Sequence, residues 1–108
     1  MRPWRARLRA ALGLVPVLDL HGMGVREALA ATEGFLRECA AAGEAEARIV
    51  YGKGRGSPGG VGVLRQAVPA WVERHGGAWV ERFERQLDAH GEDGAMRVWL
   101  RPARDRPR

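Results

Sequence analysis

The chain has 108 residues, 45% hydrophobic and 29% charged, which is enough for one small packed domain and too few for two. Its formal net charge of +5 favours an anionic partner, nucleic acid first. A single cysteine, Cys39, excludes a disulfide framework and fits a reducing, cytoplasmic interior, and no apolar run approaches the length of a membrane span.

Residues 1–14 carry Arg2, Arg5, Arg7 and Arg9. Trp4, Leu8, Ala11, Leu12 and Val15 repeat at helical spacing with arginines between them, which predicts a short basic amphipathic helix that packs on the domain or contacts a partner. The apolar part is too short for a signal peptide, and no A-x-A cleavage site follows it. Val15, Pro16 and Val17 open a strand that Gly22 closes. Alternation buries Leu18 and Leu20 on one side and presents Asp19 and His21 on the other. An acid two residues before a histidine can orient the ring and stabilise its protonated form. The same spacing also fits a strand whose solvated face carries two polar residues.

Val25, Ala28, Leu29, Thr32, Phe35, Leu36 and Cys39 mark one face of a helix over 24–42, which Gly43 ends. Residues 47–51 form a second strand, rich in β-formers. Residues 52–60, GKGRGSPGG, can only be a loop. A second helix over 61–74 turns Val61, Leu64, Val68, Trp71 and Val72 inward, and Pro69 within it predicts a bend or a weakened turn near Arg65. A third strand over 78–83 is anchored by Val80, and 86–94 read as a loop. In 95–101, Met96, Val98 and Leu100 alternate with Arg97, Trp99 and Arg101, the pattern of a half-buried strand. The basic, proline-bearing residues 103–108 are expected to be a disordered tail. The order βαβαββ predicts an α/β two-layer sandwich, a four-stranded mixed sheet under two main helices, with the N-terminal amphipathic helix added.

Two parallel strands end at the same sheet edge, so Asp19, His21 and the loop 52–60 are expected to meet at one crevice. Glycines bring backbone N–H groups close to an anion, and the following helix N-terminus adds partial positive charge. Lys53 and Arg55 add full charges, and Ser57 can cap or donate. The loop is not a Walker A motif, because no Gly-Lys-Ser/Thr closes it. Trp71 reads as core; Trp4, Trp79 and Trp99 read as rim packing or as partly exposed rings offering base stacking. His75 and His90 lie in turn regions and read as solvated.

Leu18-Asp19-Leu20-His21-Gly22, Glu27-Ala28 on the first helix, Gly52-Lys53-Gly54 with Ser57, Leu64-Arg65 with Val68, and Gly94-Ala95 before an apolar strand together resemble the Smr (small MutS-related) domain over 15–102. The resemblance implies a βαβαββ-like fold and an endonuclease-like or nucleic-acid-binding domain acting on DNA or RNA, with a ribosome or a DNA-repair protein as further partners. It carries Asp19 and His21 over as the active-site pair, and Tyr51, Gly52, Lys53, Gly54, Arg55 and Ser57 as the nucleic-acid-contacting segment. Many members have histidine where this chain has Tyr51, whose phenol can still donate to a phosphate. Glu92 replaces a glycine common in the family, a change expected to alter the turn and not the fold.

The chemistry expected of such a site is general acid–base catalysis by His21, with Asp19 fixing its tautomer and Lys53 and Arg55 stabilising phosphoryl charge. On RNA the 2′-hydroxyl is the nucleophile and no metal is needed. On DNA water attacks, and a divalent cation, Mg or Mn, held partly by Asp19 is then expected. The chain shows no second acidic cluster beside Asp19, against a dedicated two-metal site. Two alternatives stay open: a non-catalytic binding module, and an interaction domain that docks through residues 1–14. A monomer is expected.

Overall fold

The computed structural model describes residues 14–52, 63–87 and 93–102. The expected N-terminal helix, Lys53, Gly54, Arg55, Ser57, Val61, His90, Glu92 and the tail 103–108 lie outside the described residues. Strand β1 is Val17–Asp19, helix α1 Val25–Ala41, β2 Glu46–Val50, α2 Val63–His75, β3 Val80–Leu87 and β4 Asp93–Leu100. A 3-10 turn over Gly76–Ala78 joins α2 to β3. The sheet runs β1-β2-β4-β3 and is mixed: β1 lies parallel to β2, and β4 is antiparallel to both β2 and β3.

Both helices bury their apolar stripes on the same side of the sheet. Ala28, Phe35, Leu36 and Cys39 of α1 and Leu64, Val68 and Val72 of α2 share one core with Leu20, Ala47, Ile49, Tyr51, Val80, Met96, Val98 and Leu100. The alternation in β2 and β4 therefore holds residue by residue. Val25, Leu29 and Trp71 sit at the margin of this core and are half-buried. The one buried polar side chain recorded there, Thr32, donates to the Ala28 carbonyl at 2.8 Å and so leaves no unmet donor. Helix α1 ends in a Schellman arrangement, with Gly43 N–H donating to Ala40 O and Glu44 N–H to Cys39 O.

Two boundaries differ from the sequence expectation. Strand β3 continues to Leu87 and β4 begins at Asp93, so Gln86, Leu87, Asp93 and Gly94 are strand and not loop. The run Glu84-Arg85-Gln86 has weak β-propensity. Cross-strand partners supply what propensity lacks: Glu84 stands opposite Arg97, and Gln86 accepts from Arg48 Nε at 2.9 Å. Pro69 lies inside helix α2, which runs through it as one element. Proline removes the N–H that would bond the Arg65 carbonyl. That carbonyl instead accepts from the Arg85 guanidinium of β3 at 3.2 Å.

Cys39 is fully buried, and burial, with the Glu44 and Glu38 carboxylates adding to it, pushes its thiol from 9.0 up to about 12. The folded state thus keeps a proton that the unfolded chain releases, so stability falls as pH rises through that window, by at most about 1.4 kcal/mol per pH unit. Urea denaturation between pH 8 and about 11 is expected to show this decline, and Cys39→Ala to flatten it while lowering stability throughout by loss of packing.

Candidate nucleic-acid site at the ends of β1 and β2

Parallel pairing of Val17 with Arg48, Leu18 with Ile49 and Asp19 with Val50 brings the C-terminal ends of β1 and β2 side by side. The ladder is closed by Leu20 N–H donating to Val50 O at 2.7 Å, while the Leu20 side chain is completely buried. The next residue on β1 is His21 and the corresponding one past Tyr51 is Gly52. Two turns therefore leave adjacent strands about 4.8 Å apart at one sheet edge.

The first turn is a tight one over Leu20–Met23, with Met23 N–H donating to Leu20 O at 3.0 Å and Gly22 at φ +83°. A positive φ at the third position is the mark of a type II turn and excludes most side chains there. Asp19 Oδ1 accepts from the backbone N–H of His21 at 2.9 Å. The carboxylate thereby fixes the backbone that carries the imidazole. Both side chains are exposed. Helix α1 begins four residues on. Its N-cap is Gly24, which contributes no side-chain bond, so the first amides of α1 face the turn uncapped by a side chain. Their partial positive charge suits an anion, with Glu27 in the first turn partly opposing it.

The second turn opens at Gly52, φ +86°. Its N–H and that of Tyr51 both donate to the Gly94 carbonyl at 3.1 Å. Gly94 is the extra residue of a β-bulge, since Gln86 pairs with Ala95 but Leu87 pairs with Asp93. The bulge thus turns one carbonyl toward two amides and leaves no side chain in the way. Tyr51 is only 3% exposed, and its hydroxyl donates to Ala95 O at 2.9 Å, so the phenol serves as a core strut for this edge. Of the predicted contacting segment, Gly52 is brought to the His21 edge; Lys53, Gly54, Arg55 and Ser57 are outside the described residues.

The sheet face away from the helices carries cations that the motif reading did not single out. Arg48, Arg97 and Arg82 project there, together with Trp99. Arg97 pairs with Glu46, its Nε 2.8 Å from Oε2. The Arg82 and Arg97 guanidinium groups lie 3.6 and 4.8 Å from the Trp99 ring centroid. Trp99 is therefore engaged by arginines and not a free stacking platform, and Arg37 lies 5.0 Å from the Trp79 ring centroid in the same way. The exposed His75 packs its ring 5.7 Å from Trp71. The signal for Arg48 was its odd position in an alternating strand, Glu46-Ala47-Arg48-Ile49-Val50. Among the described residues, no group of three His, Cys, Asp or Glu side chains is placed to hold a metal ion.

Gly22→Ala keeps the space but not the conformation, because nothing lies within 4 Å of an added Cβ while φ stays positive. The expected cost is about 1 kcal/mol, a fall in Tm of about 4–8 °C measurable by thermal denaturation.

Residues 18–101 match the family described as Smr domain. The fold is similar to that of the Smr domain of Thermus thermophilus MutS2, at 35% identity over 80% of this chain and 98% of that one, with a TM-score of 0.66. It is also similar in fold to the B3BP Smr domain, at 24% identity over 94% of this chain and all of that one, with a TM-score of 0.57. No curated protein matches the chain.

Proposed function

The chain belongs to the Smr domain family, a family associated with nucleic-acid binding and nuclease activity, and on that premise we propose that it is an endonuclease that cleaves phosphodiester bonds in RNA. The observation that carries this reading is the exposed His21, held on an Asp19-braced turn beside Gly52 and the N-terminus of α1. One imidazole is enough for proton transfer when the substrate brings its own nucleophile. His21 accepts the proton of the 2′-hydroxyl as that oxygen bonds to phosphorus. The bond to the 5′-oxygen breaks, that oxygen takes a proton from solvent water, and a 2′,3′-cyclic phosphate is left while His21 returns its proton to solvent. Backbone amides at the start of α1, with Lys53 and Arg55 following Gly52 in the chain, would stabilise charge on the phosphoryl oxygens.

DNA is the competing substrate; it would require water as nucleophile and a divalent cation such as Mg or Mn at Asp19. A non-catalytic binding module is favoured by one observation: the position that is often histidine in the family is here the buried Tyr51. Ribosome or repair-protein docking remains a separate proposal that rests on residues 1–14.

His21→Ala is expected to lower RNA cleavage by about 10²–10⁴-fold without weakening binding comparably. Wild-type cleavage of RNA should persist in excess chelator and yield cyclic phosphate ends. Retention of labelled RNA without any product would favour the binding module instead. Cleavage of DNA alone, lost on chelation, would favour the water mechanism.

A further inference from the structure

On the sheet face opposite the helices a cavity of about 250 Å³ opens beside the site. Val50, Ala95 and the bulged Gly94 line its floor, Leu87 one wall, and Arg48 and Gln86 its rim. Val50 and Ala95 are paired across β2 and β4, and Asp19 is paired with Val50 on the other side. The cavity floor therefore starts one strand spacing, about 4.8 Å, from Asp19, and Gly52 belongs to both the cavity and the His21 edge.

Its chemistry is unusual for this face. The floor and wall are apolar although the surrounding strand positions carry charge, and Leu87 is 64% exposed, one of two large hydrophobic residues so exposed among those described. The rim is cationic. Arg48 is exposed, and its Nε donates to Gln86 Oε1 at 2.9 Å across the rim. The ligand that combines a flat apolar body with an attached anion is a nucleotide. A space of this size has room for about eight waters and so for a nucleobase. An apolar peptide would satisfy the floor but not the arginine, and the flexible chains of a lipid lack the flat body of a base.

We propose that this cavity receives one unpaired nucleobase and thereby restricts the site to single-stranded nucleic acid. The inference rests on the nucleic-acid reading above and extends it to the state of the substrate. A base inside a duplex is stacked and paired and cannot enter. An unpaired base can, with its phosphate then lying toward Gly52 and the His21 turn. Contact with the ring face is tolerant of sequence, because every base has one. Arg48 stacks or pairs at the rim with its planar guanidinium.

The test compares full-length protein binding, by fluorescence anisotropy, to three probes of equal length: single-stranded oligothymidylate, an abasic sugar–phosphate oligomer, and a duplex. The wild type is expected to bind oligothymidylate about tenfold more tightly than the abasic oligomer, and more tightly than the duplex. Leu87→Ser and, independently, Val50→Thr should remove most of that preference while changing affinity for the abasic oligomer less than about twofold, since phosphate contacts are separate from base contacts. Equal affinity of the wild type for the two single-stranded probes, a preference for duplex, or a preference intact in both variants would overturn the cavity assignment and leave nucleic-acid binding standing. Failure of the wild type to bind any of the three would overturn both.

Discussion

The hydrogen bond from Leu20 N–H to the Val50 carbonyl, with the Leu20 side chain sealed in the core, holds the end of β1 against the end of β2. β1 is only three residues long and sits at the edge of the sheet. Its backbone pairing alone would be weak; burial of an entire leucine, of order 2 kcal/mol, fixes its register. Register matters here more than strength. A slip by one residue would send Leu20 to solvent and turn Asp19 inward, and His21 would no longer leave the sheet beside Gly52.

Around that fixed point the same few backbone devices recur. Glycine at positive φ turns the chain immediately after each strand, and a carboxylate or a carbonyl braces the result. Asp19 braces the first turn and the bulged Gly94 the second. Tyr51 ties β2 to β4 just below them through its hydroxyl. The site is consequently built from main-chain geometry supported by the core, and among the described residues it presents the exposed side chains of Asp19 and His21.

Much of this was legible in the chain. Leucines flanking Asp19 gave the register of β1, and alternation at Met96, Val98 and Leu100 gave the buried face of β4. Helical spacing placed Phe35, Leu36 and Cys39 inside. What was hidden depended on partners distant in sequence. Nothing local in Glu84-Arg85-Gln86 announces a strand, because its stability comes from Arg97 and Arg48 across the sheet. The insertion of β4 between β2 and β3 is likewise invisible to a linear pattern. Tyr51 was read as a substitute for an imidazole in an exposed site, whereas its place at the inward-facing end of β2 makes it core. The bracing role of Asp19 was missed for a related reason: side-chain spacing predicts which residues share a face, not which backbone amide a carboxylate will choose.

The central claim is spatial: the His21 turn and the chain leaving Gly52 form one anion-binding edge. It is tested most directly by a two-dimensional amide NMR titration of the whole protein with a single-stranded oligonucleotide. The account predicts that the amides of His21, Gly22 and Gly52 shift together, with one shared dissociation constant. Shifts confined to other surfaces, or His21 and Gly52 responding with different affinities, would contradict it.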